Sequence, residues 1–355
     1  MNSIIHERPG VYSSYDASAA IQGGGAKKVI GIAAKAASGE KNEVVRLTNY
    51  AAGETAFGAD KKTVGMQTLL RILYQNGAAA VAAVAVPDTG TTEEYKAAFA
   101  LLQQETDIGV IVCDSDDVTV QQALRDSVVQ ASNARNERIA VVGSKGEDVS
   151  ALTARAKKLN SERMVLVGGE ALAEDGSVLG GIAAAGAVAA AIASGADPAI
   201  PLNGAELKGL TGLKSAYSDD EIDLLVRGGV TPLECVSGII SPVRGITTRT
   251  TTGSAADTTW RELTTILIVD DVIPQIRNAL RSKFTRSKNT AQTRSAIRSQ
   301  VIVELENKRT AQIIDKFGDV VVTASEKDAT VCEVEFSFAV AHGLNQIYLT
   351  AHITV

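Results

Sequence analysis

AAVAAVAVPDTGTTEEYKAAFALLQQETDIGVIVCD (79–114) decides the fold class. Its opening residues are small and apolar without a break and stop at Pro87. A short apolar run bounded by turn residues suits a strand buried on both faces. Thr91 then stands where a helix N-cap is wanted, Glu93 and Glu94 fall in the first turn, and apolar residues recur at helical spacing as far as Gln104. IGVIVCD (108–114) is again a short apolar run. Strand, helix and strand in that order form a βαβ unit, whose two strands lie parallel.

The alternation extends in both directions. Upstream, VIGIAA (29–34) and NEVVRLT (42–48) suit strands, and GMQTLLRILYQNG (65–77) suits an amphipathic helix closed by Asn76-Gly77. Downstream, helices are predicted over 118–134, 148–159 and the Ala-rich 180–193, and strands over 138–144 and 164–169. The fold class is therefore α/β with a largely parallel, doubly covered sheet over 27–196, joined to a smaller α+β domain. Residues 1–26 suit an extended arm that ends in the Gly23-Gly24-Gly25 hinge. Residues 197–245 are richer in Pro and Gly, hold one short helix capped by Ser218, and are expected to be a connecting segment.

The pattern changes over 246–345. TWRELTTILIVD (259–270) is expected to be a strand, with Asp271 and Pro274 opening a helix that runs to Phe284. Thr290 opens a second helix with Ile297, Val301 and Leu305 on one face. Strand-like segments follow in GDVVVTA (318–324) and DATVCEVEFSFAVA (328–341), the latter with Val334, Phe336, Phe338 and Val340 in one phase. The chain closes on QIYLTAHITV (346–355), where Ile347, Leu349, Ala351, Ile353 and Val355 share a phase.

Composition narrows the function. Of 355 residues 45% are hydrophobic, which excludes general disorder, but only 4% are aromatic, which argues against large aromatic ligand pockets. A formal charge of −6 argues against general nucleic-acid binding. Cys113, Cys235 and Cys332 lie far apart in apolar sequence and are expected to be small buried thiols. The amino terminus has no secretory pattern, and the Ala/Gly run 180–195 is too short and weakly hydrophobic for a membrane span. The expectation is a soluble protein made in the cytoplasm.

Enzymatic motifs are scarce. GxxxxGK[ST], GxSxG, HExxH and a GxGxxG after the first strand are all missing, and there are only three histidines. No catalytic, cofactor-binding or metal-ligating residues are assigned. Two acidic clusters stand out, Asp114-Asp116-Asp117 and Asp219-Asp220-Glu221. The first follows a strand at the end where α/β ligand sites lie, so an enzyme with a small-molecule or metal site near Asp114–Asp117 is the alternative reading. The opposing reading makes both clusters helix caps and first-turn acids. Charge is also lopsided. From Arg277 to Arg309 nine basic residues face only Glu304 and Glu306. Such a run is a solvated face or meets an acidic partner, and a protein fits better than nucleic acid because Phe284 is the only interleaved aromatic.

RPGVY (8–12), VIGIAAKAASGEKNEVVRLTNYAAGETAFG (29–58), LLRILYQNGAAAVAAVAV (69–86), IPLNGAELKGLTGL (200–213), DLLVRGGVTPLE (223–234) and TWRELTTILIVDDVIPQIRNALRSKF (259–284) occur in an order and spacing that resemble the contractile tail sheath family. That family serves myophages and R-type, phage-tail-like bacteriocins of the pyocin or diffocin kind. The chain is shorter than larger members, which implies a compact sheath, and carries Arg261-Glu262 where a more basic entry is expected. The resemblance implies a non-enzymatic subunit, without cofactor, that stacks as hexameric rings around an inner tail tube and contracts. It implies as partners other copies of itself, the tube, and baseplate and tail terminator proteins, with no nucleic acid and no membrane insertion. It also implies strand donation to neighbouring subunits by Val11, Tyr12 and Tyr15 and by Ile347, Leu349, Ile353 and Val355, with 346–355 as a donor strand. The acceptor would be the strand of Val334, Phe336, Phe338 and Val340. Tube contact would fall to Arg277, Arg281, Lys283, Arg286, Lys288, Arg294 and Arg298.

Overall fold

The computed structural model describes residues 29–59 and 64–352. The candidate donors Val11, Tyr12, Tyr15, Ile353 and Val355 lie outside the described residues. The described residues form two compact units, a larger one (29–196, 200–264 and 342–352) and a smaller one (197–199 and 265–341).

In the larger unit the elements run β1 (Val29–Lys35), β2 (Val44–Leu47), α1 (Tyr50–Phe57), α2 (Met66–Gln75), β3 (Ala80–Val86), α3 (Thr92–Gln104), β4 (Ile108–Cys113), α4 (Val118–Asn133), β5 (Ile139–Gly143), α5 (Val149–Leu159) and β6 (Met164–Gly168). A small three-stranded sheet follows, made of β7 (Ala171–Leu172), β8 (Val178–Leu179) and β9 (Gly212–Leu213), with α6 (Gly180–Ser194) between the last two in sequence. Then come α7 (Asp219–Arg227), β10 (Thr231–Val236), β11 (Ile239–Pro242) and the short hairpin β12 (Thr251–Thr252) and β13 (Ala255–Ala256).

The main sheet has eight strands in the order β11-β10-β6-β5-β4-β1-β3-β2. Its six inner strands are parallel, and β2 and β11 close the two edges antiparallel. Parallel strands must be covered on both faces. On one face Tyr95 and Phe99 of α3, Leu124 and Val128 of α4, Leu152 and Leu159 of α5 and Leu225 of α7 share a core with the strands. On the other, α6 lies along β4, β5 and β6 and packs on α2. A glycine on β5 permits this approach, since a Cβ on Gly143 would sit 2.1 Å from the Gly181 carbonyl oxygen of α6. Among the described residues no helix is long and apolar enough to cross a membrane.

Several expectations for this unit change. Residues 197–245 are more than a connection, because β10 and β11 extend the sheet beyond β6. Helix α1 went unforeseen in a segment of small and polar residues; Asn49 caps it by accepting from Ala52 N–H at 2.9 Å, and Phe57 anchors it in the core. Cys235 is exposed, not buried, because it sits where β10 runs out of the sheet into the turn with β11.

The smaller unit is built from α8 (Leu263–Phe284), α9 (Ala291–Thr310), β14 (Ile314–Phe317), β15 (Val321–Ala324), β16 (Cys332–Glu335) and β17 (Phe338–Val340). The strand expected over 259–270 is instead the start of α8, and Pro274 lies inside the helix. The β-branched run at 265–269 suggests a strand locally. However, Ile268, Val272, Ile276 and Leu280 recur every four residues and bury with Val301 and Leu305 of α9. Burying four aliphatic side chains is worth roughly 6–12 kcal/mol, against about 3 kcal/mol for a proline in a helix interior. α9 begins as expected, with the Thr290 hydroxyl accepting from Thr293 N–H at 3.2 Å.

Candidate assembly interface

β14 and β17 pair antiparallel from Ile314↔Val340 to Phe317↔Phe338, and β15 and β16 pair from Val321↔Glu335 to Ala324↔Cys332. Gly318 N–H donates to the Ser337 carbonyl at 2.7 Å between the two ladders. The four strands are thus one irregular ribbon, in which 314–324 runs against 332–340. The single strand expected over 328–341 is broken at Phe336–Ser337, where the opposing strand has extra residues and the register shifts. Among the described residues neither long side of the ribbon pairs with a third strand. A side without a third strand is the kind of backbone edge to which an extended segment can add.

Three of the four candidate acceptor residues lie on these strands, and Phe336 lies in the break between them. Phe338 and Val340 are buried, while Val334 and Phe336 are half-buried against the same core, with the Phe336 and Phe338 rings stacked at 6.4 Å. Their side chains are already committed to the protomer's own core. What the ribbon offers a donor is its backbone edge.

Residues 346–352 are not a strand: among the described residues they pair with nothing in a ladder, and Ile347, Tyr348 and Leu349 are 79%, 87% and 91% exposed. The alternation of QIYLTAH is real, but a strand without a partner has neither ladder bonds nor a face to bury. Adjacent large apolar side chains left in solvent mark an interaction surface.

The basic segment divides. Arg281, Lys283, Arg286 and Lys288 are exposed at the end of α8 and in the turn after it, and Arg277 is half-buried. On α9, Arg298 donates through Nε to the Val320 carbonyl at 2.7 Å, and Arg294 donates to the Asn289 side chain at 3.0 Å. Among the described residues, Arg281, Lys283, Arg286, Lys288, Arg294 and Arg298 form no ion pair with a carboxylate. Lys308 differs, for its buried ammonium meets Asp271 at 2.7 Å.

The acidic clusters are committed to local structure. Asp114 is buried, accepting from Lys35 N–H at 2.9 Å and from the Tyr95 hydroxyl. Burial holds its carboxyl above the usual carboxylate range, and burial beside Asp114 pushes the Tyr95 phenol up. Asp117 caps α4 by accepting from Thr119 N–H at 2.7 Å, and Ser218 and Glu221 form a capping box on α7. Among the described residues no three His, Cys, Asp or Glu side chains converge as a metal site would need. Asp114 and Asp117 thus each serve a local structural bond, the first to β1 and α3 and the second to the start of α4.

Residues 88–248 match the phage tail sheath protein central domain, and residues 255–354 match the phage tail sheath C-terminal domain. The chain belongs to the phage tail sheath family. By family it is thus a tail sheath protein. It is 28% identical over 257 residues to the tail sheath protein of Bacillus phage SP01, a match covering 70% of this sheath protein and 43% of that one. It therefore spans less than half the length of that relative. The fold is shared with the sheath tail protein of Desulfitobacterium hafniense (TM-score 0.73, 12% identity, 98% of this chain and 100% of that one). It is shared too with the anti-feeding prophage helical sheath in its contracted state (TM-score 0.72, 14% identity, 98% and 99%).

Proposed function

We propose that this sheath protein is the repeating subunit of a contractile tube. Copies stack as hexameric rings around an inner tail tube, held between a baseplate and a tail terminator, and contract to drive the tube through a cell envelope. The work is stored in subunit contacts and released as they repack, with no cofactor. The observation that carries this reading is the pairing of an unpaired two-sided ribbon with an exposed apolar terminus in one chain. Among the described residues the ribbon has two sides without a third strand, and the chain has two candidate donors, Gly10–Tyr15 with Val11, Tyr12 and Tyr15, and Gln346–Val355 with Ile347, Leu349, Ile353 and Val355. Backbone hydrogen bonds to a neighbour's ribbon, along Val334, Phe336, Phe338 and Val340, survive rigid-body motion between subunits. The exposed Arg281, Lys283, Arg286 and Lys288, with Arg277, Arg294 and Arg298, suit an acidic tube surface.

Deleting residues 346–355 tests the reading. The expected product is a folded protomer with an unchanged circular dichroism spectrum that forms no long hollow tubes under the electron microscope. Tubes from the truncated chain would reject strand donation by the carboxyl terminus.

A further inference from the structure

The PLNG turn, Pro201-Leu202-Asn203-Gly204, lies far from the ribbon in sequence. Gly204 takes a φ of +70° in it, a left-handed conformation that favours glycine. Gly204 N–H donates to the Pro242 carbonyl at 3.1 Å, and Leu207 N–H to the Ile240 carbonyl at 2.8 Å. The turn and the residues after it thus cover the outer edge of β11 and are rigidly tied to the main sheet. Two contacts then bring the end of the chain to this turn. The Asn203 side-chain amide donates to the Asn345 Oδ1 at 2.7 Å. A Cβ on Gly343 would come within 2.8 Å of the Pro201 ring, so the backbone at 343 lies flat on that proline. From Leu344 onward every described residue is exposed.

We propose that the PLNG turn is the anchor from which the carboxyl-terminal strand is launched, with Pro201 and Asn203 as positioning residues for Gly343 and Asn345. The proposal rests on the donor-strand reading above. Its physical content is reach and order. Fixing the four residues 342–345 removes about 13–14 Å from the reach that the following segment would have if it were released from Ala341. Pinning 342–345 therefore limits which neighbouring copy the strand can meet. It also orders four residues before association, so that this entropy is not lost on binding.

The test uses the full-length protein with three substitutions. Asn345→Leu keeps the size and removes the acceptor, Gly343→Val pushes the chain off Pro201, and Asn345→Asp retains an oxygen for the Asn203 amide. Asn345→Leu and Gly343→Val should raise the critical concentration for tube formation about tenfold, equivalent to about 1.4 kcal/mol, while Asn345→Asp stays near wild type. In dilute protomers, amide exchange at 343–346 should quicken in the first two variants only. Wild-type assembly and exchange in Asn345→Leu and Gly343→Val, with the 346–355 deletion still inactive, overturns the anchor and leaves strand donation standing. Tube formation by the deletion itself overturns both.

Discussion

Replacing Ile347 and Leu349 together by serine separates the protomer from the assembly. Both side chains are almost wholly in solvent, 79% and 91% exposed. Surface changes that break no contact alter unfolding free energy by no more than about 0.5 kcal/mol, so the dilute protomer should melt as wild type does. In a neighbour's sheet the same two side chains would become buried. Each such burial is worth about 1.5–3 kcal/mol, and with the part of Ile347 already shielded the pair contributes about 3–5 kcal/mol per donated strand. At 1.4 kcal/mol for each factor of ten, the critical concentration for polymerisation should rise by roughly two to four orders of magnitude. Sedimentation of tubes across a concentration series, with thermal unfolding of the dilute protein beside it, measures both numbers. Tyr348→Ser, in the opposite phase, is the control and should shift assembly far less. Polymerisation of the double variant at the wild-type concentration would refute the burial of this face, and a large drop in Tm would mean that the face is already packed within the protomer.

Asp114→Ala should cost about 1–3 kcal/mol in thermal unfolding, because the Tyr95 hydroxyl, on a side chain 1% exposed, loses its acceptor. A rise in Tm of the wild-type protein with nucleotides or divalent metal ions, absent from this variant, would restore the enzyme reading. The raised Asp114 carboxyl also has a pH signature. The folded chain keeps this proton at pH values where the unfolded chain has released it, so the group's contribution to stability falls as pH rises through the window above the ordinary carboxylate pKa. Acidification into that window should favour wild type over Asp114→Asn in paired denaturation curves. Asp271→Ala leaves the buried Lys308 ammonium without its carboxylate and should cost about 3–5 kcal/mol, much of it recovered by Asp271→Leu with Lys308→Met. Reversing Arg281, Lys283 and Lys288 to Glu should spare the fold and abolish salt-sensitive co-sedimentation with the inner tube; unchanged binding would remove these residues from the tube contact.

The elements most legible in the sequence are those whose signals are local. Thr91 and Thr290 cap helices because a hydroxyl beside a free N–H needs no tertiary partner, and the bare apolar runs of β1, β3, β4, β5 and β6 follow from burial on both faces. Legibility failed where distant residues choose between local options. Segment 263–270 looks extended to any short window, yet it is helical because Ile268 is one member of a stripe that reaches Leu280 across a proline. β10 looks like part of a connection until β6 is available to pair with it. The Asn203–Asn345 contact, between residues 142 apart in the chain, had no sequence signal beyond the PLNG motif itself.

The sequence by itself determined the α/β class, most helix starts, the family and the apolar phase of the terminal segment, because composition, spacing and caps act within a few residues. Only the tertiary structure decided that the strand of Val334–Val340 is half of a ribbon, that its apolar side chains are already spent on a core, and that among the described residues neither the ribbon's sides nor 346–352 find a further strand to pair with. Pairing is the reason for the difference. A strand's hydrophobic alternation is written in one segment, but whether its backbone bonds are made depends on where another segment lies.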